Sequence, residues 1–106
     1  MDSPAKNRLE ARARIMKAMA HPSRLFILDE LSQGERCVRD LTAMIGSDTS
    51  TVSKHLSLLK NAGIVATDKR GAQVYYRLKA PCVLNFFGCV EIVLRDNAAD
   101  QLRVLK

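Results

Sequence analysis

Residues 47–63, SDTSTVSKHLSLLKNAG, decide how the rest of this chain is read. Val52, Leu56 and Leu59 form an apolar line at helical spacing. Asp48 stands where a helix N-cap is expected and Gly63 where a helix stops. Thr49, Ser50, Thr51, Ser53, Lys54 and His55 make the other side a dense hydroxyl-bearing and cationic face at the N-terminal end. Just upstream, CVRDLTAMIG (37–46) places Val38, Leu41, Met44 and Ile45 at the same period and closes on Gly46. Two short helices joined by a turn around Gly46 match the helix-turn-helix plan, whose second helix offers its first turns to base edges.

The flanking segments extend this pattern on both sides. Upstream, HPSRLFILDELSQG (21–34) predicts a helix with Pro22 in its first turn, Leu25, Ile27, Leu28 and Leu31 on an apolar side, and Gly34 as a stop. Residues 5–19 favour a first helix by propensity, with Leu9, Ile15, Met16 and Met19 set among Ala, Arg, Lys and Glu. Downstream, IVATDK, a turn at RGA, and QVYYRLK predict a two-stranded hairpin in which Val74, Tyr76 and Leu78 alternate with Tyr75 and Arg77. Its tip, Lys69, Arg70 and Gly71, would lay cations along a phosphate backbone as a wing. From Pro81 onward, Val83, Leu84, Phe86, Phe87, Val90, Ile92, Val93 and Leu94 are too dense for a helix with one wet face. A second copy of the same helix, spanning about 82–103, is the simplest cover.

The chain of 106 residues is 47% hydrophobic, and no linker-like stretch divides it, so residues 1–106 are expected to form one small domain. A net charge of +6, spread along the chain, suits a folded polyanion binder as well as a basic protein with solvated helix faces. The charged N-terminus lacks the apolar core of a signal peptide and no later run is long enough to span a membrane, which predicts a cytoplasmic protein. There is no Gly-rich phosphate loop, no nucleophile-and-base arrangement and no paired carboxylates in an evident cleft, so the chain is not expected to be an enzyme. A protein-association module on the same fold is the competing reading, separable by the salt dependence of DNA binding.

The order helix, helix, short helix, recognition helix, wing, apolar helix, with AHPSRLFILDEL, CVRDL, TVSKHLSLLKNAGIV and GAQVYYRL inside it, resembles the ArsR/SmtB family. The resemblance covers residues 10 to 95 and implies a mainly α winged helix-turn-helix protein, homodimeric through its first and last helices. It implies a transcriptional repressor that binds palindromic operator DNA and leaves it when an inducer arrives. Carried over position by position, Thr49, Ser50, Thr51, Ser53, Lys54 and His55 would face the major groove. Lys69, Arg70 and Gln73 would face the adjacent backbone or minor groove. The family often has Gln-Pro where this chain has Thr49-Ser50.

Three cysteines, Cys37, Cys82 and Cys89, are an odd number without a C-x-x-C, and reduced thiols are expected. Cys37 lies between Arg36 and Arg39 at a helix N-terminus, a setting that favours a thiolate. In the family resembled, this position is often cysteine in members that bind soft metals or trivalent arsenic, with a second cysteine two residues on; here that residue is Arg39. In one unbroken helix, Cys82 and Cys89 would be separated by about 10 Å of rise, too far for one ion. Either Cys82 lies on a non-helical approach after Pro81 or sites form between protomers. Thiolates favour arsenite, Cd, Pb or Cu(I) as inducer. A thiol-redox-responsive or ligand-independent regulator is the alternative, and packing as small apolar residues is the bland reading of Cys82 and Cys89. His21 reads as an end-of-helix hydrogen-bonding residue, and His55 as structural or DNA-contacting more readily than as a metal ligand.

Overall fold

The computed structural model describes residues 1–105. Helix α1 (Ser3–Met19) begins where the Ala5 N–H donates to the carboxylate of Asp2 at 2.8 Å. It buries only Met19, while Leu9, Ile15 and Met16 stay about half exposed. Helix α2 (Pro22–Leu31) starts at His21, whose Nδ1 accepts from the Ser23 N–H at 3.0 Å, the end-of-helix role its position suggests. Ile27, Leu28 and Leu31 of this helix are buried. Leu25, expected beside them, is 38% exposed, as is Phe26, so the buried stripe is narrower than the run of apolar residues.

Helices α3 (Val38–Ile45) and α4 (Thr49–Asn61) form the helix-turn-helix. Gly46 ends α3 at φ 78°, ψ 13°, a left-handed conformation costly for any residue with a Cβ, and from there the chain turns into Asp48. Leu41 from α3 and Val52, Leu56 and Leu59 from α4 have no exposed surface, and with Ile27, Leu28, Leu31 and Met19 they form the core. Ile64 and Val65 complete it from below the end of α4. Burying one such Leu or Ile is worth about 1.5–3 kcal/mol, so this shared core is a large part of what holds the helices together.

The wing departs from the two-stranded expectation. Strands β2 (Val65–Arg70) and β3 (Gln73–Leu78) pair antiparallel around a Gly71–Ala72 turn, but a third strand, β1 (Arg36–Cys37), adds to the free edge of β3. Arg36 lies opposite Tyr76, and Cys37 opposite Tyr75. Cys37, which precedes α3 with extended backbone at φ −87°, ψ 162°, has the geometry a strand needs, and the free edge of β3 supplies the partner. Tyr76 and Leu78 pack against the core, as their alternation implies.

Helix α5 (Val83–Leu105) buries none of its residues, although Val83 and Phe87 are packed against the core. Val90, Ile92, Val93 and Leu94 are 41–56% exposed. Cys82 precedes the helix in the turn after Pro81, the non-helical approach that was one of the two alternatives. No helix among the described residues is long and apolar enough to cross a membrane.

Candidate nucleic-acid interface

The N-terminus of α4 is built by Asp48. Its Oδ1 accepts from the Thr51 N–H at 2.7 Å and from the Ser50 hydroxyl at 3.0 Å. Hydrogen bonds from Thr51, through side chain and backbone, and from Ser50 hold the Asp48 carboxyl below its ordinary value near 3.8. The cap therefore stays ionised and the first turn stays wound over the neutral pH range. Ser50 spends its proton on this cap, so toward solvent it offers lone pairs only, whereas the hydroxyl of Thr49 has no partner among the described residues. Thr49, Ser50, Thr51 and Lys54 are all exposed, and Ser50 and Lys54 lie on the face opposite the Val52–Leu56–Leu59 line.

Two of the expected face residues are placed differently. Ser53 is half-buried. His55 is turned toward α2, its ring 4.5 Å from the ring of His21 at a 39° tilt. Its Nδ1 is shut from solvent and has no hydrogen-bond partner. Burial, followed by the nearby His21, Arg24 and Lys54, lowers its pKa below the usual 6.5. His55 thus ties the recognition helix to the start of α2; helical spacing sets it beside the Val52–Leu56–Leu59 line, and the groove-facing place that the resemblance implied for it falls on a half-buried side chain.

On the wing, Lys69 and Arg70 are exposed and Gln73 is half-buried, with Arg70 opposite Gln73 in the register. The two cations differ in state. Arg70 bonds Glu35 at 2.7 Å and Asp68 at 3.0 Å, and its guanidinium lies 4.7 Å over the Tyr75 ring. Lys69 has no ion-pair partner among the described residues.

The thiols are not assembled into a site within one protomer. Cys37 is buried at 6% exposure, and its side chain makes no capping hydrogen bond. Cys82 and Cys89 are exposed, before and within α5. Among the described residues no group of three or more His, Cys, Asp or Glu is placed to hold a metal ion. A metal of three-thiolate type therefore does not fit the donor set of a single chain.

Residues 21–67 match the family described as bacterial regulatory protein, arsR family. Among curated proteins, the chain is 38% identical to the HTH-type transcriptional regulator Rv0324 of Mycobacterium tuberculosis, over 87% of this chain and 41% of that one. It is 46% identical to a cadmium resistance transcriptional regulatory protein CadC homolog of Staphylococcus aureus, over 62% of this chain and 55% of that one. The chain thus spans about half or less of the length of these two curated relatives. Among solved structures, the fold superposes with a TM-score of 0.78 on the homodimeric winged helix-turn-helix DNA-binding domain Mb0332 of Mycobacterium bovis. The identity there is 34%, and the match covers 92% of this chain and 91% of that one.

Proposed function

The chain belongs to the ArsR family of bacterial regulatory proteins, and on that premise we propose that it is a homodimeric repressor of transcription acting on double-stranded operator DNA. The observation that carries this reading is the exposed first turn of α4, with Thr49, Ser50, Thr51 and Lys54 free of the core that locks the opposite face. Lys69 on the wing supplies a cation for the flanking phosphates. The uncovered apolar residues of α5, with Leu9, Ile15 and Met16 of α1, form the face onto which a second copy packs, and the similar Mb0332 domain is homodimeric. In this reading residues 1–106 are one winged domain, the location is the cytoplasm, and the chain catalyses nothing.

The inducer is a finer matter. Thiol chemistry and the cadmium-resistance relative favour release by arsenite or a soft metal ion such as Cd, Pb or Cu(I). Because one chain gathers no three-ligand group among its described residues, that response requires cysteines from both copies. Cys89 on α5 and Cys82 beside it are the exposed candidates, and Cys37 the buried one. Release follows only if the ligand prefers the conformation that binds DNA poorly.

Fluorescence anisotropy on DNA from upstream of its own gene tests the reading. Affinity should fall steeply with salt, and Lys54→Ala should weaken binding by about 1–3 kcal/mol if it contacts a base edge. Weak binding that ignores salt would instead favour a protein-association module. Titrating arsenite and cadmium into that complex, with Cys37→Ser and Cys89→Ser alongside, assigns or dismisses the thiols.

A further inference from the structure

The two cations at the wing tip point in different directions by strand periodicity. Asp68 and Arg70 share one face of β2, and Lys69 takes the other. Tyr75, which lies opposite Asp68 across the hairpin, places its ring beneath the Arg70 guanidinium. Glu35, in the corner between α2 and β1, then reaches Arg70 from outside the hairpin, 35 positions away in sequence. Arg36 next to it bonds the Glu35 carbonyl at 2.9 Å and faces Glu30 of α2 at 4.0 Å, so the corner is itself anchored.

We propose that Arg70 is a brace of the wing and not one of its phosphate contacts, and that Glu35 is the positioning residue that aims the wing tip. The proposal rests on the reading of this chain as a DNA-binding protein. A single exposed ion pair contributes little. Here two carboxylates and an aromatic face converge on one guanidinium, and they join parts of the chain that the β2–β3 ladder alone does not join. A phosphate would have to displace both carboxylates and would leave Glu35 and Asp68 bare beside the DNA backbone. Lys69 reaches a phosphate without either loss, and with Arg70 in place the two acids carry only one uncompensated negative charge.

Salt titrations of DNA binding by anisotropy separate the roles, because each phosphate contact adds about 0.9 to the slope of log affinity against log salt. Lys69→Gln is expected to reduce that slope by about one contact, whereas Arg70→Gln weakens binding with the slope unchanged. Arg70→Glu alone is expected to lower affinity roughly tenfold or more, and adding Glu35→Arg in the same chain restores most of it by rebuilding the pair in reverse. A slope loss for Arg70→Gln equal to that for Lys69→Gln, with no rescue by the exchange, would overturn the brace. Should the wild-type protein show no salt-dependent DNA binding, the regulatory reading itself fails. Amide hydrogen exchange then still decides the brace: Glu35→Gln should speed exchange across residues 68–73 and leave α4 unchanged, and unaltered exchange there refutes it.

Discussion

The helix-turn-helix and helix α5 are both rich in aliphatic residues, yet they use them in opposite ways. In α4 every residue of the apolar line has zero exposure, the N-terminus is capped by Asp48, and the polar residues that remain are presented as a set. In α5, more than twenty residues long, none is buried. The difference teaches how one short chain divides its work. The part that must hold side chains in fixed positions is finished within the protomer. The part that, in the proposed dimer, recognises another copy is left unfinished, because apolar area buried at home is not available at an interface.

A charge placed on the unfinished side should have the largest effect. Val93→Asp should leave the fold intact by circular dichroism, since Val93 is 56% exposed. Sedimentation should then show a monomer, and DNA affinity should drop on the order of a hundredfold or more, because two linked recognition helices bind with avidity that one lacks. A dimer that survives this change would show that α5 is covered by something other than its own copy.

The finished side is tested by Leu56→Ala, which should cost about 2–5 kcal/mol in chemical denaturation, the usual penalty for a cavity in a packed core. The equivalent truncation Ile92→Ala in α5 should scarcely change the stability of a monomeric variant. Equal losses at the two sites would erase the distinction drawn here.

Thiol chemistry sharpens the contrast with a smaller effect. Cys82 and Cys89 should react with a maleimide faster than Cys37, which is buried and backbone-paired with Tyr75, and mass spectrometry of the partly labelled protein reads the order directly. Labelling of Cys37 first would mean that the β1–β3 edge opens readily.

The smallest effect concerns acid. The folded protein favours neutral His55, so its contribution to stability is full above the ordinary value near 6.5 and declines as pH falls through that value toward the lowered one. His55→Gln should flatten part of the change in melting temperature between neutral and mildly acidic pH. An unchanged profile would show that the contact with His21 tolerates a proton.

Much of this architecture is legible in the sequence, and what is not shares one cause. The caps, the glycine stops and the 3.6-residue stripes are local, and the helices they mark lie where expected; whether Cys82 opens the last helix stays open in the sequence, and it lies in the turn just before α5. The features that periodicity does not show depend on distant partners. A two-residue strand at Arg36–Cys37 has no pattern of its own and exists because β3 offers an edge. The ring that His55 meets at the flank of the buried stripe belongs to His21, 34 positions earlier. Arg70 reads as a free wing cation until Glu35 is found against it. The hydroxyl and lysine face of α4 was legible because it is what the buried stripe of one helix leaves over. The three cysteines were not, since nothing in their spacing tells which are enclosed.

If α4 reads DNA in a dimer closed by α5, a hydroxyl-radical footprint on the upstream DNA records both features at once. The wild-type protein should protect two symmetric patches whose centres lie about one helical turn, 10–10.5 base pairs, or a small multiple of it apart, and Val93→Asp should lose both at the same concentration. A single protected patch, or a footprint that Val93→Asp reproduces unchanged, would contradict the account.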